Sequence, residues 1–139
     1  MSKVISVVSE NAIWNNLSQL INEIDCCEIA RKHLERCQRK ISGYWDSKNN
    51  FYEEIYFVSF PAIELISSAI GINKIEEQHL RWLKLKFLLK VDNSNNQGHI
   101  IDDEDIGELT LILDANLRIV DENWSVDLES PFVVAMPKY

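Results

Sequence analysis

Trp82-Leu83-Lys84-Leu85-Lys86-Phe87-Leu88-Leu89-Lys90-Val91 is the stretch on which the fold turns. Wound as a helix, its apolar residues point all ways round. Read at period 2, Leu83, Leu85, Phe87, Leu89 and Val91 share one face while Lys84, Lys86 and Lys90 share the other. That pattern predicts a strand with one dry face and one wet face, as in an antiparallel sheet lying over a core.

Downstream of it, the turn-rich Asp92-Asn93-Ser94-Asn95-Asn96-Gln97-Gly98 predicts a long exposed loop over 92–106. Leu109, Leu111 and Leu113 then alternate with Glu108, Thr110 and Ile112, which predicts a second strand. Asp114-Ala115-Asn116 turns the chain into a hairpin partner from Leu117 to Glu122. Trp124, Val126 and Leu128 continue the alternation, and Phe132 to Met136 predicts a last short strand.

Upstream, the pattern begins helical. Ile13, Leu17, Leu20, Ile21 and Ile24 make one stripe of a helix over 10–24. Asp25 followed by Glu28 has the spacing of a capping box and opens a second helix, with Cys26, Ala30, Leu34, Cys37 and Ile41 as its apolar stripe. Arg39, Lys40 and Gly43 predict its end near residue 42. Tyr44-Trp45, the turn Asp46-Ser47-Lys48-Asn49-Asn50 and the aromatic run Phe51 to Phe60 predict a hairpin, with Tyr52, Tyr56, Val58 and Phe60 on one face. Pro61 is placed to start a short helix through Ile70 that stops at Gly71, and Asn73 with Glu76 to cap another from Lys74. The expected fold class is therefore α+β, an N-terminal helical hairpin packed on a mostly antiparallel β-sheet, in a single domain 1–139.

Composition narrows the function. With 46% hydrophobic and 26% charged residues the chain matches a globular protein. Cys26, Cys27 and Cys37 are odd in number and crowded together, a poor disulfide framework that predicts a reducing cytoplasm. The opening MSKVISVVSE lacks the apolar core of a secretory leader, and no apolar run approaches the roughly 20 residues of a membrane span. A formal net charge of −8 argues against direct contact with nucleic-acid phosphates.

The charge is also split by position. Residues 1–91 hold 12 Lys and Arg against 11 Asp and Glu, whereas residues 92–139 hold only Arg118 and Lys138 against 11 carboxylates. Asp102, Asp103, Glu104, Asp105, Glu108, Asp121, Glu122, Asp127 and Glu129 thus form a candidate surface for a basic protein partner, with Trp124 as an apolar anchor among them. The aromatic hairpin around Tyr44 to Phe57 is the second candidate surface.

Other constellations are weaker. Cys26, His33 and Cys37 share a helical side but spread over about 16 Å at 1.5 Å per residue, too far for one zinc ion. Residues 93–104 resemble an EF-hand calcium loop with Gly98 at position six and Glu104 at twelve, but Asn93, Asn95 and Gln97 stand where acids belong. No nucleophile motif surrounds His33, His79 or His99, and the four glycines build no phosphate-binding loop. The expectation is a chain with no catalytic residue, no cofactor and no metal.

The small α+β domain, its acidic balance and the stretch Gly107-Glu108-Leu109-Thr110-Leu111-Ile112-Leu113-Asp114-Ala115-Asn116-Leu117-Arg118-Ile119-Val120-Asp121 resemble a bacterial immunity protein of contact-dependent inhibition and wider polymorphic-toxin systems. The resemblance implies a cytoplasmic protein that binds a cognate toxin domain, often a basic nuclease, and occludes it. It carries over no functional residue, so the candidate surface rests on charge. The alternatives are a phage or mobile-element inhibitor that mimics nucleic acid with its carboxylates, and a small accessory enzyme.

Overall fold

A computed structural model describes residues 12–91 and 104–137. Two consecutive helices, α1 (Ala12–Glu23) and α2 (Cys26–Arg36), lead into seven strands: β1 (Lys40–Trp45), β2 (Phe51–Phe57), β3 (Ala62–Ile75), β4 (Gln78–Lys90), β5 (Asp105–Leu113), β6 (Ile119–Val126) and β7 (Val133–Pro137). The strands form two antiparallel sheets, one ordered β1-β2-β7 and the other β3-β4-β5-β6. The architecture is α+β with its helices N-terminal, as the periodicity predicts.

The decisive strand behaves as its alternation requires. Leu83, Leu85, Phe87, Leu89 and Val91 are all buried, and β5 sets Leu113, Leu111 and Leu109 beside the first three of them on the same face. Cys26, Ala30 and Leu34 of α2 join that core, as do Ile41, Ile55, Phe57 and Val133 of the smaller sheet. Burying each such Leu or Phe side chain contributes about 1.5–3 kcal/mol. In β2 the fully buried pair is Ile55 and Phe57; of the face formed by Tyr52, Tyr56, Val58 and Phe60, Tyr52 and Phe60 pack against the core's margin while Val58 is 52% exposed. The core face is the one that meets Ile41 and Ala135 across the ladders.

The start of α2 matches its capping box, the Glu28 N–H donating to Asp25 Oδ1 at 3.2 Å. Its end lies earlier than Gly43. Gln38 and Arg39 take φ of 57° and 59°, and the Arg39 N–H donates back to Leu34 O, closing the helix and freeing Lys40 to begin β1.

The largest departure concerns residues 61–75. Pro61, Gly71 and the Asn73/Glu76 pair read locally as helix punctuation, but the segment is the 14-residue strand β3, paired with β4 from Ala62–Lys90 to Ile75–Gln78. Gly71 sits opposite Trp82, and a Cβ there would fall 1.9 Å from the indole, so the glycine makes room for the ring. Glu76, with φ of 57°, is a turn residue of the β3–β4 hairpin. The capping signals are worth about 1 kcal/mol each, less than a strand's full ladder with β4.

The β1–β2 and β5–β6 hairpins use one turn twice. In Asp46-Ser47-Lys48-Asn49-Asn50 and Asp114-Ala115-Asn116-Leu117-Arg118, the fourth residue has positive φ (64° and 61°) and donates to the Asp carbonyl. The Asp Oδ1 accepts the N–H of the third and fifth residues, at 2.9 and 2.8 Å for Asp46 and at 2.9 and 3.0 Å for Asp114. These bonds favour the ionised carboxyls and hold both pKa values below the ordinary carboxylate range, the backbone N–H of Asn50 and of Arg118 being the largest cause in each case.

Two expectations follow. Leu85→Ala and Leu111→Ala each lower unfolding free energy by about 2–5 kcal/mol, while Val120→Ala, on a side chain 60% exposed, shifts it by about 0.5 kcal/mol or less, as read by urea unfolding. Asp46→Ala and Asp114→Ala lower the thermal midpoint at neutral pH. Because the folded carboxyl pKa is depressed, that contribution is present above the unfolded value and is lost as pH falls through the folded one. The gap between wild type and either variant therefore closes below about pH 4.

Candidate functional site

Three of the ten residues nominated by charge, Trp124, Asp127 and Glu129, line one groove with the aromatic hairpin. A concavity of about 630 Å³ is lined on one side by Tyr44, Trp45, Asp46, Lys48 and Tyr52 of the β1–β2 hairpin, and on the other by residues 124–129, among them Trp124, Asp127 and Glu129.

Local conformation sets both walls. Ile41 is buried and Tyr44, three residues on, also packs against the core, which strict alternation forbids. Gly43, between them, takes φ of +72° and breaks the alternation. Tyr44 thus reaches across to the other sheet, where its hydroxyl accepts the Val126 N–H at 3.0 Å. Asp46 pins the hairpin tip, and Tyr52 donates to its Oδ2 at 3.5 Å. Trp45 is 63% exposed, tilted against Phe51 with ring centroids 5.0 Å apart. On the facing wall the Asp127 N–H donates to Ile106 O, and Asp127 Oδ1 accepts the Glu129 N–H at 3.0 Å.

Trp124 forms the inner end of the groove. Its ring lies 6.4 Å from that of His33, nearly parallel at 23°, and 6.2 Å from Phe57. The His33 ring nitrogen Nε2 is in turn bonded to Glu122 Oε2, so helix α2 is tied to β6 through a polar contact. Among the described residues, Trp124 Nε1 is the one buried side-chain polar atom without a hydrogen-bond partner.

The structure disperses the remaining acids. Glu108 pairs with Lys86 Nζ at 3.3 Å, and with Asp121 it lies on the β5–β6 face turned away from the leucine row. Glu104 and Asp105 stand at the start of β5, beside Ile106 and hence at the same sheet end as Asp127. Asp102 and Asp103 lie outside the described residues, as does nearly all of the calcium-like loop, residues 93–103. Of the predicted surface, Trp124, Asp127 and Glu129 line the groove. Charge counting along the chain missed Asp46, Lys48 and His33; the aromatic pair Tyr44-Trp45 beside a turn was the signal for that wall.

Cys26, His33 and Cys37 are each engaged with separate partners. Cys37 Sγ donates to Leu34 O, Cys26 Sγ to Ile21 O, and His33 is bonded to Glu122. All three cysteines are free thiols. Burial pushes the Cys26 and Cys37 thiols up, and the Glu122 carboxylate adds to the effect on Cys37, so neither is an activated nucleophile. Among the described residues no three His, Cys, Asp or Glu groups converge as a metal site would require, and no helix is long and apolar enough to cross a membrane.

No protein-family model matches the chain, and no curated protein or solved structure matches it either.

Trp124 separates packing from polarity. Trp124→Phe keeps an aromatic ring against Phe57 and removes the unpartnered N–H, so stability stays within about 1 kcal/mol of wild type. Trp124→Ala opens a cavity and costs about 3–5 kcal/mol by chemical denaturation.

Proposed function

We propose that this chain is a binding protein that neutralises a basic protein partner, in the manner of an immunity protein engaging its cognate toxin domain in the cytoplasm. One observation carries the reading: aromatic rings and carboxylates, distant in sequence, line a single groove. Asp46, Asp127 and Glu129 face it against one ammonium, Lys48, while Tyr44, Trp45 and Trp124 supply apolar surface. Such a groove is complementary to a Lys- or Arg-bearing segment, whose charge is steered by the carboxylates and whose stem stacks on the exposed indole of Trp45. Nucleic-acid mimicry is less well supported, because the carboxylates are distributed over separate faces rather than aligned in a phosphate-like row. The proposal involves no bond making or breaking by this chain, and no cofactor, metal or membrane.

The toxin-neutralising reading predicts that a gene for a large secreted toxin lies directly upstream, and its C-terminal domain is the probe for the test. By surface plasmon resonance, that domain binds the wild-type chain with an association rate that falls steeply with salt. Glu129→Lys slows association and Lys48→Glu accelerates it, in opposite directions from one groove. Trp45→Ala leaves the on-rate nearly unchanged and speeds dissociation about tenfold or more, as expected for an interface anchor. Equal on-rates for Glu129→Lys, Lys48→Glu and wild type would remove the groove from the interface.

A further inference from the structure

Among the described residues, strand β3 is the outermost strand of its sheet, bonded to β4 on one side. It is 14 residues long, and its outer half is apolar and open: Ile66, Ile70, Ile72 and Ile75 are 44%, 43%, 64% and 56% exposed. A long, exposed, apolar edge is a template for pairing with another strand, and natural proteins blunt it unless it is used. The opposite edge of the same sheet is blunted, since β6 carries Asp121 and Glu122 and self-pairing there would set carboxylates against one another.

Beside β3 lies a second apolar surface, only partly covered. Helix α1 is amphipathic; Ile21 packs against the core, but none of its residues is fully buried, and Trp14 and Leu20 are 51% and 44% exposed. Trp14, Leu17 and Ile21 border a concavity of about 560 Å³ whose far wall is Ser68, Ala69 and Ile70 of β3. The open edge and the partly covered helix are therefore neighbours.

We infer that β3 pairs antiparallel with β3 of a second copy of this chain, about a two-fold axis through Gly71. Residues 67–75 form the regular part of the strand, beyond the irregularity between Leu65 and Ser67, and Gly71 is their midpoint. In that register Ile70 lies opposite Ile72 of the second copy, twice, and Ala69 lies opposite Asn73. The one charged residue of the segment, Lys74, lies opposite Ser68, so no like charges oppose each other. Opposed residues share a face, so the four isoleucines cluster on the side where β4 carries Leu83. The two-fold axis brings the two α1 grooves, which border Ile70, to the same side of the joined sheet. One isologous contact thus covers both apolar surfaces and joins the four-stranded sheets into eight strands.

The test is the mass of the purified full-length chain, by sedimentation velocity and light scattering over a wide concentration range. The expected species is twice 16.2 kDa. A lysine form (Ile70→Lys with Ile72→Lys) and a glutamate form (Ile70→Glu with Ile72→Glu) oppose like charges across the axis. Both sites are solvent-exposed, so each form folds with unchanged circular dichroism and loses the dimer. Mixed one to one, the two forms regain the dimer mass as a heterodimer, because Lys then faces Glu in the proposed register. A wild-type chain that is monomeric throughout overturns the inference. So does a lysine form that stays dimeric, or a mixture that stays monomeric.

Discussion

The row Leu83, Leu85, Phe87 and Leu89 on β4 is the constraint from which the rest of the molecule follows. It is central in its sheet, hydrogen-bonded to β3 on one side and β5 on the other, and fully dry on one face. A one-residue slip against β5 would exchange the leucine row for Lys84, Lys86 and Lys90, placing ammonium groups in a core lined by Ala30, Leu34, Ile55 and Phe57. Register is thus held by the cost of desolvating charge as much as by the gain of burying leucine. Helix α2, through Cys26, Ala30 and Leu34, and the smaller sheet, through Ile41, Ile55, Phe57 and Val133, bury their apolar residues in one cluster with this row.

The wet face of the same strand carries cations that pair with carboxylates on both neighbouring strands. Lys86 reaches Glu108 on β5, and Lys90 reaches Glu64 on β3 at 3.1 Å. Both pairs are substantially exposed, so each adds little stability. Their effect is on the field: Lys86 partly offsets one carboxylate of the acidic C-terminal third, while Lys90 offsets Glu64 of the more balanced N-terminal part. What stays acidic is the sheet end around Asp105, Asp127 and Glu129, next to the aromatic hairpin.

That hairpin is positioned by small backbone devices rather than by bulk. The left-handed Gly43 turns Tyr44 inward, the Tyr44 hydroxyl caps the Val126 N–H, and the Asp46 carboxylate gathers the N–H groups of its own turn. The same aspartate turn recurs at Asp114, where it sets the β5–β6 register. Two short carboxylate-centred turns and one glycine thereby align walls that come from residues 44–52 and 124–129.

Residues with a single dominant local demand were legible in the sequence. The period-2 leucines of 83–91 and 109–113 permit one placement, because only a strand puts them all on one side. The Asp25–Glu28 spacing likewise marks a helix start that needs no tertiary partner. Residues 61–75 were not legible, because Pro61, Gly71 and Asn73 carry helix-boundary signals of about 1 kcal/mol while their true partner, β4, is named nowhere in the segment itself. The isoleucines at 63, 66, 70, 72 and 75 were the β-branched hint, but the odd spacings 63–66 and 72–75 break strict alternation, the first of them where the strand bulges. The groove depended on tertiary structure altogether. Sequence could nominate Trp124, Asp127 and Glu129 by charge and Tyr44 and Trp45 by aromaticity, yet their meeting depends on a left-handed glycine and on two sheets sharing one core. Those are facts of packing at a distance, and no local pattern encodes them.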